Sequence, residues 1–134
     1  MKTFFLLFFI FPVIATAETP QIPCENLFDP IIKVLKNNSA EAFSNYFADA
    51  VEFDIFGENK IYSKLQAEQV VKTFFTRKSI KQIIMKHCSG KDYLKYAVAE
   101  ITDTEDLLYR ATIFVRIESD GNAVIQEVRL EKEE

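Results

Sequence analysis

The sequence predicts an α+β fold: a curved antiparallel sheet with three N-terminal helices packed on its concave side. Two features of the chain support this class. Apolar residues at helical spacing are concentrated before residue 78, whereas four segments of strand character follow it. One helical stretch also carries two adjacent phenylalanines on its apolar face, and such a face needs a sheet to pack against. Helices and strands that are segregated along the chain are typical of α+β domains.

The first 17 residues predict a signal peptide rather than a part of the fold. Lys2 supplies a short positive region, Phe4 to Ile14 form an apolar run, and Ala15 to Ala17 match a cleavage site of small residues. The apolar run is shorter than the roughly 20 residues that a membrane span needs. We therefore expect one domain over residues 18–134, exported to the periplasm or the cell exterior, with no membrane span after cleavage.

Composition argues against a nucleic-acid partner. The chain has 16 Lys and Arg against 20 Asp and Glu, which gives a formal net charge of −4. Phosphate binding needs clustered basic side chains, and no such cluster stands out in the sequence. The single histidine, His87, and two separated cysteines do not show the spacing of metal ligands. We therefore expect no metal ion and no cofactor.

The two cysteines, Cys24 and Cys88, both follow the predicted cleavage site. In an oxidising compartment they favour one disulfide between the N-terminal segment and the end of a strand. Two unpaired thiols, with Cα atoms too far apart to bridge, are the alternative.

Two short helices are predicted before the first strand. Asp29 and Pro30 form an N-cap and first-position pair, and the asparagines at 37–38 end that helix. Ser39 caps a second helix, in which apolar residues at helical spacing continue to Phe47.

A strand, a turn and a helix follow between residues 50 and 78. Apolar and acidic residues alternate from Val51 to Ile55, as in a half-buried strand. A turn is predicted at Gly57 to Asn59. Ser63 opens the helix, and Gln66 three residues later completes a capping box. The apolar face of this helix carries Ala67, Val70, Val71, Phe74 and Phe75.

Four segments of strand character complete the chain. They are Ser79 to His87, Tyr93 to Thr102, Leu107 to Ile117 and Ala123 to Glu131. The third is the clearest, because every second residue from Tyr109 to Ile117 faces one way. A tight turn leads into the fourth, where Val124, Val128 and Leu130 are expected on one face.

This order of elements resembles the nuclear-transport-factor-2-like, or cystatin-like, α+β cone. More narrowly, the chain is similar to a family of short exported bacterial proteins on that cone, a domain of unknown function. The stretches that carry the resemblance are Tyr62 to Glu68 with Phe74-Phe75, Lys95 to Ala97, and Tyr109-Arg110 with Val128 to Glu131. The resemblance implies the fold and supplies no catalytic residues. It also implies that the outer sheet face is a surface through which relatives dimerise.

The inner side of the predicted fold leaves two functions open. Five phenylalanines are candidates either to line a small apolar ligand pocket or simply to fill the core: Phe43, Phe47, Phe53, Phe74 and Phe75. Some relatives use such a pocket for acid–base chemistry of the isomerase or dehydratase type, which needs a carboxylate or histidine with a raised pKa. Glu100 or Asp103 is a candidate near the mouth, but Asp54 and Glu100 are expected to face away from the apolar side of their strands. The sequence therefore favours a non-catalytic domain.

The outer sheet face is the other candidate site. The residues expected there are Tyr96, Phe114, Arg116 and Arg129, together with Val98 and Ile125. Aromatic and arginine side chains are enriched in protein interfaces. The first functional hypothesis is therefore an exported domain that binds a protein partner, or a second copy of itself, through this face. A solvated sheet with cross-strand ion pairs is the alternative.

Overall fold

The computed structural model describes residues 9–16 and 22–133. Three helices are found there: α1 (Cys24–Lys36), α2 (Ala40–Ser44) and α3 (Lys64–Arg77). The strands are β1 (Phe47–Ile55), β2 (Glu58–Ser63), β3 (Ile80–Lys91), β4 (Leu94–Asp103), β5 (Leu108–Ile117) and β6 (Ala123–Lys132). The predicted α+β class is confirmed. Most of the predicted signal peptide, residues 1–8 and 17, lies outside the described residues. Within those ranges, no helix is long and apolar enough to cross a bilayer.

The strands form one six-stranded mixed sheet in the order β2-β1-β6-β5-β4-β3. Neighbouring strands are antiparallel except for β1 and β6, which run parallel. The expectation of a wholly antiparallel sheet is wrong at this pair. Parallel neighbours need a long connection, and the chain from β2 to β5 provides it. The third helix also follows two strands, so it is not N-terminal to the sheet as expected.

Helix α1 begins earlier than the sequence indicated. It starts at Cys24 instead of at the Asp29–Pro30 pair, and Pro30 lies inside it. A proline inside a helix removes one backbone hydrogen bond. Burial of Phe28, whose side chain is fully covered, and the bond from Cys24 to Cys88 hold the first turns in place despite this loss.

Helix α2 is short. Its cap is the predicted one, because Ser39 Oγ accepts a hydrogen bond from the Ala42 N–H at 3.2 Å. The helix ends at Ser44, and Phe47 already belongs to β1, so the helical spacing predicted to continue to Phe47 is wrong there. Phe47 is buried edge-to-face against Phe43, with ring centroids 4.9 Å apart.

Helix α3 forms as the sequence predicts. Ser63 Oγ accepts from the Gln66 N–H at 3.3 Å, and Gln66 Oε1 accepts from the Ser63 N–H at 3.2 Å. These two bonds complete the capping box. The buried face of the helix carries Ala67, Val71 and Phe75, and it packs against α2 and the β1–β2 hairpin.

The turn between β1 and β2 lies at Phe56 and Gly57, slightly before the predicted position at 57–59. Both residues have positive φ, 53° and 87°, as a type I′ hairpin turn requires. Gly57 suits this conformation, whereas a bulky residue such as Phe56 is unusual in it. The Phe56 ring lies 6.0 Å from the Tyr109 ring, and Lys132 Nζ lies 5.2 Å from its centroid. These contacts offset the cost of the backbone conformation.

A register shift in β6 changes which of its side chains face the helices. The pairing passes from Phe114–Glu127 to Val115–Ile125, so Gln126 is an extra residue in the strand. Ile125 is consequently fully buried beside Val115. The expectation that Ile125 lies on the outer sheet face is therefore wrong.

The same shift places residues from both halves of β6 on the inner face. Val128 and Leu130 lie opposite inward-facing residues of β5, as Ile125 does. Val124, which was expected beside Val128 and Leu130, instead lies opposite Arg116. The alternation of inward-facing and outward-facing side chains is broken here, because the bulge adds one residue to the strand.

Cys24 and Cys88 form a disulfide between the start of α1 and β3, with Cα atoms 6.0 Å apart. Their separation in sequence is 64 residues. In a chain-entropy treatment, closing a loop of this length stabilises the folded state by about 4 kcal/mol. The bond ties α1 to the edge strand β3, against which the helix packs.

Candidate functional site

An apolar cavity of about 250 Å³ lies between α3 and the inner face of the sheet. Helix α3 forms one wall, and residues of β1, β4, β5 and β6 form the floor. Floor residues include Ile55, Ile101, Ala111, Ile113, Val128 and Leu130. The lining side chains are apolar except for Thr73 and Arg77.

Four of the five phenylalanines considered as pocket residues line this cavity: Phe43, Phe53, Phe74 and Phe75. Phe47 does not. It is buried between Phe43 and Phe53, at centroid distances of 4.9 and 5.7 Å, and both contacts are edge-to-face. Such aromatic pairs are favourable beyond the area that they bury. Phe47 therefore packs against two lining residues, Phe43 and Phe53, on the side away from the cavity.

A small residue of β5, Ala111, lines this space. Ala99 and Ala111 are direct cross-strand partners, and both are buried on the inner face. The pairs on either side each contain larger residues, Ala97 with Ile113 and Ile101 with Tyr109. Of this pair only Ala111 lines the cavity, and a bulkier side chain there would fill part of the space. Sequence reasoning missed Ala111, although a small residue inside the clearest strand was a visible signal.

The mouth of the cavity is marked by Thr73 and Arg77, because they are the exposed members of its lining. They are four residues apart on α3, so they lie one above the other on the same face of the helix. Phe74 is half-buried. Sequence reasoning also missed Arg77, and its only signal was a polar position at the end of an otherwise apolar face.

A buried carboxylate, Asp103, lies next to the cavity with 1% of its surface exposed. Its Oδ1 accepts hydrogen bonds from the backbone N–H groups of Glu105, at 2.8 Å, and Leu107, at 3.0 Å. Its Oδ2 accepts from the Tyr109 hydroxyl at 3.0 Å. Asp103 is therefore an anchor for the β4–β5 turn.

These contacts determine the protonation of Asp103. Burial acts to raise the pKa of Asp103, but the Leu107, Tyr109 and Glu105 hydrogen bonds and the Lys78 ammonium, 3.9 Å away, hold it below the usual range. Burial chiefly raises the pKa of Tyr109, so its hydroxyl keeps the proton that it donates to Asp103. A general acid in an apolar cavity needs a raised carboxyl pKa, and Asp103 has the opposite shift.

The other two acidic candidates lie on the outer face. Asp54 Oδ2 is 3.9 Å from Arg129 Nε, and its Oδ1 accepts from the Gly57 N–H at 3.1 Å. Glu100 lies opposite Arg110 in the sheet register. Neither carboxylate lines the cavity.

On the outer face, three of the four residues considered for an interface lie together: Tyr96, Phe114 and Arg129. The rings of Tyr96 and Phe114 are 5.8 Å apart, and the Arg129 guanidinium lies 5.3 Å from the Phe114 centroid. The His87 ring lies 5.9 Å from that of Tyr96, which extends the group to β3. We call these four side chains the outer row. Arg116 is separate from it, because its guanidinium pairs with Glu118 at 2.8 Å.

The family of the chain can now be stated. A family model described as a domain of unknown function, DUF4783, matches residues 28–131. The chain belongs to the DUF4783 family. The match contains all of α3, strands β1 to β5, strand β6 as far as Glu131, and every residue of the cavity lining. Cys24 precedes the DUF4783 match and Cys88 lies inside it, so one end of the disulfide falls outside the matched region.

Solved structures share this fold at low sequence identity. A DUF4783 family protein from Bacteroides ovatus is similar with a TM-score of 0.73 and 20% identity, over 79% of this chain and 94% of that one. A cystatin-like domain of unknown function from Nostoc punctiforme has a TM-score of 0.61 and 13% identity, over 78% and 72% of the two chains.

An NTF2-like protein of unknown function from Cytophaga hutchinsonii has a TM-score of 0.58 and 11% identity, over 85% of this chain and 93% of that one. No curated protein matches the chain. The fold predicted from the resemblance is confirmed at the level of an NTF2-like and cystatin-like α+β architecture. Likeness at these identities concerns the fold, and function must be argued from the site.

The role of Asp103 gives a prediction about acid stability. A carboxyl group whose pKa is lower in the folded than in the unfolded chain stabilises the fold above the ordinary Asp pKa of about 3.9. That contribution is lost as the pH falls from this value through the folded-state pKa. Asp103→Asn should therefore lower the melting temperature at neutral pH and flatten its decline in acid, measured by circular dichroism.

Glu105→Gln is the matched control, because it removes a largely exposed carboxylate two residues away. It should keep the acid dependence of the wild type. An Asp103→Asn variant that loses stability in acid as steeply as the wild type would show that this carboxylate does not anchor the turn.

Proposed function

We propose that this domain binds a small apolar molecule in the cavity between α3 and the sheet. The observation that carries the proposal is a space of about 250 Å³ with an almost wholly apolar lining. Protein interiors are normally close-packed, with few voids larger than a water molecule. An apolar cavity of about 150 Å³ holds benzene, so a space of this size corresponds to roughly ten carbon atoms.

An empty cavity of this kind lowers the free energy of unfolding of a small domain. At about 24 cal/mol per Å³, a sealed void of this volume would cost about 6 kcal/mol. This is comparable with the whole stability of a typical domain, about 5–15 kcal/mol. The opening at Thr73 and Arg77 reduces that cost, and an apolar ligand would recover much of the rest through contact with the lining.

Binding is favoured over catalysis by the chemistry beside the cavity. The buried carboxylate, Asp103, is fully hydrogen-bonded within its own turn, and its pKa is lowered. A carrier or sensor role needs only the apolar lining and a mouth. An exported location is part of the proposal. The Cys24–Cys88 bond supports it, because disulfides persist mainly in oxidising compartments.

Filling the cavity from its floor tests the proposal. Ala111→Leu adds apolar volume at a buried position that lines the space. Wild-type protein should bind 1-octanol, with shifts in methyl and amide NMR signals of the lining residues that saturate during titration. Ala111→Leu should lose this binding and keep its melting temperature, because filling an apolar cavity does not destabilise the fold.

Thr112→Val is the matched control. Thr112 is the next residue of the same strand and faces the opposite side of the sheet, so this change should leave octanol binding intact. If Ala111→Leu folds and binds octanol as well as the wild type does, the cavity is not the binding site. If the wild type shows no saturable shifts, the proposed function fails.

A second candidate function is supported by the outer row, His87, Tyr96, Phe114 and Arg129. Tyr96 and Phe114 are half-buried and lie side by side on two neighbouring strands, with their ring planes tilted by 37°. The Arg129 guanidinium lies over the Phe114 ring and is also paired with Glu127, at 2.9 Å. Tyrosine and arginine are enriched among the hot spots of protein interfaces. The candidate partner is a second copy of the domain.

Sedimentation equilibrium tests this second candidate. Phe114→Glu places a charge at the centre of the outer row without touching the core, so it should keep the fold and abolish self-association. Ile61→Glu, at a largely exposed position on β2 away from the row, is the control and should leave association unchanged. A wild type that stays monomeric at high concentration contradicts the dimer.

A further inference from the structure

We infer that the cavity takes an organic monocarboxylate, whose apolar body enters the space while its head group binds Arg77 at the mouth. This inference rests on the proposed function and adds the charge and shape of the ligand to it.

The apolar lining determines where a charged group of the ligand can lie. The interior offers no polar partner, and an ionised group without a partner is very costly to bury. A charged head group must therefore stay at the opening. There the exposed members of the lining are Thr73 and Arg77, one helical turn apart on α3. The mouth therefore carries one hydroxyl group and one guanidinium group.

Arg77 is free to bind such a group. Among residues 22–133, Arg77 has no acidic side chain within ion-pair distance, whereas five other cations do. Those five are Lys78, Lys81, Arg110, Arg116 and Arg129. The adjacent Lys78 is already paired with Asp103 and Glu105, and it does not belong to the cavity lining. The planar guanidinium matches a carboxylate with two parallel hydrogen bonds.

A purely structural role for Arg77 also exists. A cation in the last turn of a helix interacts favourably with the helix dipole. That role predicts an effect on helix stability and none on the choice of ligand. The two explanations therefore differ in a measurable way.

The number of positive groups indicates the kind of anion. One guanidinium and one hydroxyl at the mouth suit a single negative charge, and a carboxylate carries one. A phosphate monoester carries about −1.5 to −2 at neutral pH and typically needs several donors or cations. The apolar body is limited to roughly ten carbon atoms by the volume of the cavity.

The test compares octanoate with 1-octanol, which share the same alkyl chain and differ in the charge of the head group. Isothermal titration calorimetry is performed at neutral pH with the wild type, Arg77→Gln and Lys72→Gln. Arg77→Gln should weaken octanoate binding by about tenfold and change octanol binding by less than about twofold. Lys72→Gln removes the same charge from an exposed position of α3 outside the cavity lining, so it should leave both ligands unaffected.

The outcomes separate this inference from the proposed function. If Arg77→Gln affects octanoate and octanol equally, or if Lys72→Gln weakens octanoate as much as Arg77→Gln does, no specific head-group contact exists. The inference then fails while the cavity remains a ligand site. If neither molecule binds the wild type, the proposed function and the inference fail together. Thermal unfolding of each variant confirms that the fold is kept, and Arg77→Lys should restore part of the octanoate affinity.

Discussion

The parallel pairing of β1 with β6 is the interaction on which the rest of the structure depends. In the sheet order, β6 stands between the β1–β2 hairpin and the β5-β4-β3 meander. It therefore joins the two parts of the sheet. Because α3 packs on the hairpin, this pairing also places α3 above the meander. The pairing also assembles the site, because it sets Phe53 and Ile55 beside Val128 and Leu130 on the cavity. Strand β5 adds Ala111 and Ile113 to the same lining, opposite α3.

The bulge at Gln126 gives β6 two different faces. Because one residue is added to the alternation, Ile125 enters the core and Val128 lines the cavity, while Glu127 and Arg129 lie on the outer face. A strand without this shift would turn Ile125 outwards. The cavity lining and the outer row thus each take a residue, Val128 and Arg129, from the same strand.

The elements that could be predicted from the sequence are those determined by local chemistry. The Ser63–Gln66 capping box and the alternation of β5 are examples, since both act within a few residues. The start of α1 at Cys24 and the inward position of Ile125 could not be predicted. The first depends on a bond to a residue 64 positions away, and the second on a register shift between strands.

The same distinction applies to the site. Its phenylalanines were predictable because helical and strand periodicity identifies inward-facing aromatic residues. The space between them was not, because sequence periodicity does not specify that Ala111 of β5 comes to lie beside lining residues of β1, β4 and β6. The lowered pKa of Asp103 was also inaccessible, since it comes from hydrogen bonds made within a folded turn.

Native mass spectrometry of the purified protein tests most directly whether the cavity holds a small organic molecule. The protein is purified without detergent, incubated with a mixture of small carboxylates and alcohols, and compared with Ala111→Leu treated in the same way. We expect one bound molecule on the wild type, selected from the carboxylates and released on unfolding, and none on the variant. A bare polypeptide mass for the wild type, or equal occupancy of the variant, would contradict this expectation.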